Sequence, residues 1–335
     1  MRPDSPDVQI LRRLLAAGDA FCSGEELAAQ LSLSRVAVWK RLEKLKHRGF
    51  AIEAVRRKGY RLTGLPPHST DVGILSHLPE DAGLATLTLL ETSPSTNNEV
   101  LQSLATGTPV PLACLTRRQP AGKGRRGRSW AGDFPGNLYG SIGFRPNLPP
   151  GRLSLLTLWA GLRICRRIAT LTGLPVQLKW PNDLVLGGRK LAGILAESTL
   201  ETDRITALVI GIGMNINMTE KDFPAELRSL ATSLRIESGK SFPLDSLIAH
   251  VLSEILGAMR DCEAGIDEDR LSDEWEARAC YLGQPVFILD SEGGKTEGTL
   301  AGIDRSGALL LRTTGGSLQS FRAGDVSLRS QSSAT

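Results

Sequence analysis

The chain has 335 residues, 41% hydrophobic and 23% charged, with a formal net charge of +4, which describes a globular protein of about two or three domains. No apolar run approaches the ~18–20 residues a bilayer span requires, and the acids and arginines interrupting MRPDSPDVQILRRLL argue against a signal peptide and against a membrane partner. The five cysteines (Cys22, Cys114, Cys165, Cys262, Cys280) are scattered and never form a CxxC pair, which points to reduced thiols, a cytoplasmic location and no zinc site.

Charge is uneven along the chain. Residues 1–65 hold thirteen Lys/Arg against seven Asp/Glu, so the excess positive charge belongs to the first domain and suggests a nucleic-acid partner. Val8–Ala17 has helical periodicity and stops at Gly18. Ser23-Gly-Glu-Glu26 has the form of a capping box before a short helix, Glu25–Leu31. A second cap at Ser34 opens a helix from Arg35 to about His47 that buries Val38, Leu42 and Leu45. Short helix, turn and longer basic helix is the layout of a helix-turn-helix. Phe50–Val55 and Tyr60–Leu62, joined by Arg56-Arg57-Lys58-Gly59, read as the hairpin wing of a winged helix. Arg35, Ala37 and Trp39 are placed for base edges; Lys40, Arg41, Lys44, Arg56, Arg57 and Lys58 are placed for phosphates. A small helical domain with a solvated basic face is the alternative. Thr63–Ser69 is the expected linker, so the first domain is read as separable.

From Leu84 strands and helices alternate. Leu87–Leu90 is a short strand, and Ser95, Thr96, Asn97 and Asn98 cap a helix over Glu99–Ala105. These polar residues serve equally as caps or as contacts to a small polar ligand. Ala113–Thr116 is a strand leading into Arg117–Trp130, RRQPAGKGRRGRSW, which carries six basic side chains, three glycines and no acid. Such a stretch reads as a flexible loop that closes over phosphate or carboxylate oxygens, or as a solvated basic loop. Gly122–Gly127 satisfies GxGxxG in letter only: residues 128–136 cannot open a helix and no acid follows about twenty residues on, so a dinucleotide site is excluded.

Asn137–Phe144 is a strand and Leu153–Leu171 a long core helix. Lys179-Trp-Pro-Asn-Asp183 precedes a hairpin turning at Gly187-Gly188. That turn pairs Leu186 with Arg189, Val185 with Lys190 and Asp183 with Ala192, leaving Asp183 and Lys190 diagonal neighbours at ~7–8 Å. There they would hold a ligand between them or form a cross-strand salt bridge. Ala207–Ile212 is a buried strand continuing into Gly211-Ile-Gly-Met-Asn-Ile-Asn217, whose glycines would let a flat ring approach with Asn215 and Asn217 at its edge, or which equally ends the strand in a turn. Thr219–Lys240 is a polar connector, Leu244–Met259 and Glu268–Ala279 are helices, and five short strands after Gly283 (Val286–Leu289, Thr299–Ile303, Ala308–Arg312, Leu318–Phe321, Val326–Leu328) suggest a small β-barrel.

Together, Ser95-Thr-Asn97, Gln119–Gly127, Lys179–Asp183, Arg189-Lys-Leu-Ala-Gly193 and Gly211–Asn217 resemble the motifs of the biotin protein ligases. With a winged helix in front, the chain resembles the bifunctional members that also repress the biotin operon, and the likeness runs from Ser23 to about Arg329. The resemblance implies an α+β multidomain chain: a winged helix-turn-helix over 1–65, a mixed α/β ligase domain over 66–280 and an SH3-like barrel over 281–335. It implies ATP-dependent activation of biotin to biotinyl-5'-AMP, with Mg²⁺. Transfer to a lysine of the biotin carboxyl carrier protein of acetyl-CoA carboxylase follows. It also implies a homodimer that binds operator DNA of biotin-synthesis genes with the adenylate as corepressor.

By motif position, Ser95, Thr96, Asn97, Gln119, Lys123, Gly124, Arg125 and Lys190 would bind biotin. Gly122, Lys123, Arg125, Arg126, Lys190 and Asn215 would bind ATP or the adenylate. Lys190, Arg125 and Asp183 would carry the chemistry, with Asp183 as the magnesium ligand. Lys123 stands where the family has arginine, which keeps the charge and loses the bidentate fork. Arg128 has no assigned role. Two other functions compete: a non-catalytic biotin-sensing regulator, and a lipoate or octanoate transferase of the related fold.

Overall fold

The computed structural model describes residues 1–201, 204–289, 294–322 and 327–330. The first domain contains α1 (Pro6–Ala17), α2 (Gly24–Gln30) and α3 (Arg35–His47), then the wing β1 (Ala51–Val55) and β2 (Gly59–Gly64). Ser34 caps α3 by accepting from the Ala37 amide at 3.1 Å, and Val38, Leu42 and Leu45 form its buried stripe.

The expected linker is shorter than its Pro/Gly content suggests. Thr70 caps a helix absent from the sequence reading, α4 (Asp71–His77), which packs against α1. Arg12 of α1 donates to the carbonyls of Leu75 at 3.1 Å and Leu78 at 3.0 Å, placing a guanidinium at the negative end of α4. Val8, Ile10 and Leu11 share one buried cluster with Ile74, Leu75 and Leu252. The first domain is therefore packed onto the second rather than tethered to it.

The central sheet is built from β3 (Thr86–Thr92), β4 (Leu112–Lys123), β5 (Ser129–Gly132), β6 (Leu138–Phe144), β7 (Gln177–Lys179), β8 (Asp183–Leu186), β9 (Arg189–Glu201) and β10 (Arg204–Met214). Its order is β3-β4-β6-β10-β9-β8-β7, with β5 paired to β4 alone and only β3–β4 parallel. Helix α5 (Thr96–Ala105) lies on one face, with Val100 and Leu104 against Val209. Helices α6 (Leu153–Thr172) and α8 (Leu244–Ala264) take Leu208, Ile210 and Ile212 of the same strand into the main core. Period-two alternation thus gives each sheet face its own cluster.

The connector 219–240 holds two 3-10 turns and α7 (Leu234–Ser238), and α9 (Glu268–Glu276) leads to the C-terminal strands β11 (Pro285–Leu289), β12 (Lys295–Ile303), β13 (Leu309–Arg312), β14 (Leu318–Phe321) and β15 (Ser327–Ser330). These form a five-stranded antiparallel sheet ordered β14-β13-β12-β11-β15; no pairing closes it among the described residues, and Val326 lies outside them. No helix among the described residues is long and apolar enough to cross a membrane.

Asp245, near the start of α8, clamps the start of α4 by accepting from Thr70 N at 2.9 Å and Thr70 Oγ1 at 3.2 Å. Burial pushes its carboxyl up from 3.8 to about 6, against the lowering effect of those bonds. The folded chain therefore holds this proton more tightly than the unfolded one, and stability from this group falls as pH rises from 3.8 to about 6. Asp245→Asn is expected to flatten that part of the stability curve, read as Tm between about pH 4 and pH 7. An unchanged slope would contradict it.

Candidate active site and DNA-facing surface

The stretch Arg117–Trp130 is mostly not a loop. Strand β4 runs through Lys123, and β5 returns antiparallel with Gln119 facing Gly132 and Lys123 facing Ser129. Backbone pairing thus turns the basic stretch into a flap whose tip, Arg125–Gly127, is one 3-10 turn. Under this flap a cleft opens on the α5 face of the sheet. Ser95, Thr96, Asn97, Gln119, Lys123, Gly124, Arg125, Arg126, Asp183 and Lys190 all line it, and so does Arg128. Gly122 and Asn215 do not.

Glycines make the floor. Gly193 of β9 is paired with Gly213 of β10, and Gly211 is paired with Leu195 and Ser141. A Cβ on Gly211 would lie 2.2 Å from Asn97 Oδ1, and one on Gly213 would lie 2.4 Å from the Trp130 ring. The flat ring that lies against Gly213 in this structure is the chain's own Trp130. Its buried Nε1 has no hydrogen-bond partner among the described residues, and Lys190 Nζ stands 5.3 Å from the ring centre.

The β8–β9 hairpin turns at Gly187 and Gly188, both at positive φ, 57° and 75°, as a type I′ turn requires. Leu186–Arg189 and Val185–Lys190 pair as expected; beyond them a bulge absorbs Leu191, so Leu184 faces Ala192 and Asp183 faces Gly193. This corrects the diagonal arrangement. A bulge changes which side chains share a face, and here Lys190 Nζ lies 2.8 Å from Asp183 Oδ1. The contact is close enough for an ion pair but lies outside hydrogen-bond geometry, so Oδ1 accepts no hydrogen bond among the described residues. Gly193 leaves the room for it, since a Cβ there would be 3.2 Å from Lys190 Nζ and 3.3 Å from Asp183 Oδ1.

The connector strengthens the bulge. Lys190 N donates to Leu230 O at 2.8 Å, and Thr232 N donates to Lys190 O at 2.9 Å. Asn215 is buried behind this strap, its Nδ2 donating to Thr232 O at 3.0 Å and its Oδ1 accepting from Asn137 Nδ2 at 3.4 Å. It braces the lysine's support without reaching the cleft.

Arg125 Nη1 donates to Asn182 Oδ1 at 3.4 Å across the cleft mouth, and Lys123 Nζ donates to Asn98 Oδ1 at 3.2 Å. Burial lowers the Arg125 pKa, Asp183 opposes that shift, and repulsion from Arg126 and Arg128 adds to it. A desolvated cation is one whose charge is little screened, and an incoming anion would relieve it. Trp180 is structural: it is buried, and its Nε1 donates to Gly307 O at 3.1 Å, which props the Lys179–Asp183 segment on the C-terminal sheet.

Four contributors escaped the sequence reading: Trp130, Ser141, Asn182 and Glu197. Ser141 sits on a strand with glycine on either side of Ser-Ile, and Glu197 is the lone acid ending Leu-Ala-Gly-Ile-Leu-Ala; both are small irregularities in strand patterning that could have flagged them.

On the first domain, Arg35, Trp39, Arg56, Arg57 and Lys58 line one groove between α3 and the wing, joined by Val36. Trp39 and Val36 are 51% and 62% exposed, while Ala37 is half-buried at the helix cap and Lys40 is exposed. Arg41 and Lys44 differ from the expectation of free phosphate contacts. They pair with the buried Asp7 at 2.9 and 3.1 Å and tie α3 to α1, because an uncompensated carboxylate there would be costly.

A cleft with lysine, arginine and carboxylate converging over a bare sheet, on a chain that opens with a winged helix, defines a carboxylate-activating ligase with its own DNA-binding module. The chain is 33% identical to the bifunctional ligase/repressor BirA of Bacillus subtilis over 93% of its own length and 95% of that protein. It is 34% identical to the Escherichia coli protein of the same name, over 95% of each. It belongs to the family of bifunctional biotin protein ligases and repressors. Residues 89–215 match the biotin/lipoate A/B protein ligase family, 8–61 an HTH domain and 281–329 the biotin protein ligase C-terminal domain. Among solved structures it resembles the Aquifex aeolicus biotin protein ligase in complex with biotin and ATP, with 29% identity and a TM-score of 0.64, over 73% of this chain and 99% of that one.

The floor glycines differ in what they confront. Gly211→Ala must displace a buried, hydrogen-bonded Asn97 and is expected to cost about 1–3 kcal/mol. Gly193→Ala meets the ends of the Lys190 and Asp183 side chains at 3.2 and 3.3 Å, which can give by a few tenths of an ångström, and is expected to cost less, below about 1 kcal/mol. Urea unfolding of both variants checks this; equal losses would contradict it.

Proposed function

We propose that the chain joins biotin to ATP as biotinyl-5'-AMP and passes the biotinyl group to a lysine of the biotin carboxyl carrier protein of acetyl-CoA carboxylase. The observation that carries this reading is the convergence of Lys190, Arg125 and Asp183 on one cleft, with Lys190 held from both sides of its backbone. In the first step a carboxylate oxygen attacks the α-phosphorus and pyrophosphate leaves. Two anions must meet, so cations placed at the junction lower the barrier more than uniform binding would. Lys190 and Arg125 do this, with Lys123, Gly124, Arg126 and the other cleft-lining flap residues closing over the phosphates, while Gly122 keeps the flap strand close without entering the cleft. The adenylate is a reactive mixed anhydride, and a closed flap keeps water from it. In the second step the acceptor amine, once deprotonated, attacks the carbonyl carbon and AMP leaves.

A magnesium ion fits the residues present in one way. Among the described residues no three His, Cys, Asp or Glu side chains gather, whereas Asp183 Oδ1 accepts no hydrogen bond from them. One carboxylate suits a Mg²⁺ that takes its other ligands from phosphates and water. Bound there, the ion would neutralise phosphate charge.

The polar floor of Ser95, Thr96, Asn97 and Gln119 favours a ring with donors and acceptors, hence biotin over the apolar lipoyl ring. Asn215 acts behind the adenylate site by bracing the 230–232 strap. The groove of Arg35, Val36, Trp39 and Arg56–Lys58 favours operator DNA of biotin-synthesis genes, read by a homodimer when the adenylate is bound. On this reading the functional division is residues 1–65, 66–280 and 281–335, although the first two parts share a core.

Lys190→Ala is expected to leave the circular dichroism spectrum intact and to slow adenylate formation by about 10²-fold or more, measured by pyrophosphate exchange. Normal exchange would refute the role. Because removing residues 1–65 would strip the apolar cover from α4, point variants test DNA binding better. Arg35→Ala with Arg57→Ala should weaken operator binding by about tenfold or more in mobility-shift titrations and leave ligation unchanged.

A further inference from the structure

Beneath the cleft runs a chain of buried hydrogen bonds that ends on a carboxylate outside it. Glu197 Oε2 accepts from Asn97 Nδ2 at 2.5 Å, and Asn97 Oδ1 accepts from Ser141 Oγ at 2.6 Å. Ser141 Oγ and Thr96 Oγ1 are 2.7 Å apart, and Gln119 Oε1 accepts from Thr96 N at 2.8 Å. Asn97, Ser141, Thr96 and Gln119 are all buried, whereas Glu197 lies behind the lining.

Proton counting gives this chain a direction. An ionised carboxylate only accepts, so the amide of Asn97 must turn its nitrogen to Glu197 and its oxygen to Ser141. Ser141 has one hydroxyl proton and donates it to Asn97. The 2.7 Å contact then needs the proton of Thr96, since two lone pairs would otherwise face each other. Thr96 Oγ1 also donates to Gln119 Oε1 at 3.1 Å, so its single proton is shared between two protein acceptors and in either position points away from the ligand. Thr96 Oγ1 is left with a lone pair for the ligand. Gln119, its oxygen held by the Thr96 amide, turns its NH₂ toward Gly122 of the flap strand, 2.9 Å from where a Cβ on that glycine would lie. The cleft therefore offers an acceptor at Thr96, the complement of a ring N–H.

We propose that Glu197, which touches no ligand, is the positioning residue that fixes the hydrogen-bond polarity of this site and so selects a cyclic urea by its N–H. This rests on the biotin reading above. Glycine at position 211 belongs to the same device, since any side chain there would occupy the place of Asn97 Oδ1.

The test is Glu197→Gln in the full-length protein, titrated calorimetrically with biotin and with two analogues in which one or the other ring N–H is replaced by oxygen. The amide introduced by that substitution can donate to Asn97 and let the chain reverse, turning Thr96 into a donor. Biotin should bind about tenfold more weakly, and the preference for biotin over the analogue lacking the N–H that meets Thr96 should shrink by a similar factor. A merely structural role would weaken all three ligands alike, and an unchanged preference overturns the proposal. Asn97→Asp combined with Glu197→Gln gives a second measurement. In that double variant the new carboxylate accepts from both the new amide and Ser141, so the preference should return, and its failure to return counts against the polarity argument. A wild-type chain that does not bind biotin would overturn the proposed function itself, and this inference with it.

Discussion

The site depends on one local irregularity, the extra residue at Leu191. Without it, period-two pairing would set Asp183 opposite Ala192 and keep Lys190 a diagonal neighbour away. With it, Asp183 stands opposite a glycine and the lysine reaches its carboxylate at 2.8 Å. A bulge leaves backbone groups without ladder partners, and this one is stable because the connector supplies them. Leu230 and Thr232 bond both sides of Lys190, and the Asn215 amide donates to Leu191 O at 3.0 Å. The geometry of two charged side chains is thus held by main-chain hydrogen bonds from a segment about forty residues later.

The same logic applies to the rest of the cleft. Three glycines on adjoining strands remove side chains from the sheet surface, and Asn97 and Trp130 lie where those side chains would have been. The flap is an extension of β4 and β5 rather than a free loop, so it approaches the floor from a fixed direction. Trp130 rests on Gly213 with its indole N–H unpaired among the described residues, and burial of an unpaired donor costs about 1–3 kcal/mol. That cost favours any state in which the N–H finds an acceptor.

The interface between the first two domains is equally physical. Arg12 at the end of α4, Asp245 at its start, and the Arg48–Asp71 ion pair at 2.5 Å lock α4 between the winged helix and α8. Arg117, on the strand that becomes the flap, donates to Ser69 O at 2.8 Å just ahead of that helix. One strand therefore touches both the ligand flap and the junction with the DNA-binding domain.

Local patterning was enough to read α3, α5, α6 and the hairpin turn, because apolar spacing and glycine conformations act over a few residues. Motif order was enough to gather Ser95–Asn97, Gln119, Lys123–Arg126, Asp183 and Lys190 into one site. What sequence could not reach were the effects of distant partners: α4, too short to show a period and stabilised by α1 and α8; the bulge, held by the connector; and the inward turn of Arg41 and Lys44 toward Asp7. Asn215 looked like a ligand contact because it follows a glycine-rich strand, yet the tertiary fold gives both ends of its amide protein partners. Sequence by itself determined which chemistry is present, since residue types and their order are local facts. Tertiary structure alone decided which of those groups face one another, because register, burial and hydrogen-bond direction are settled only when strands far apart in the chain come together.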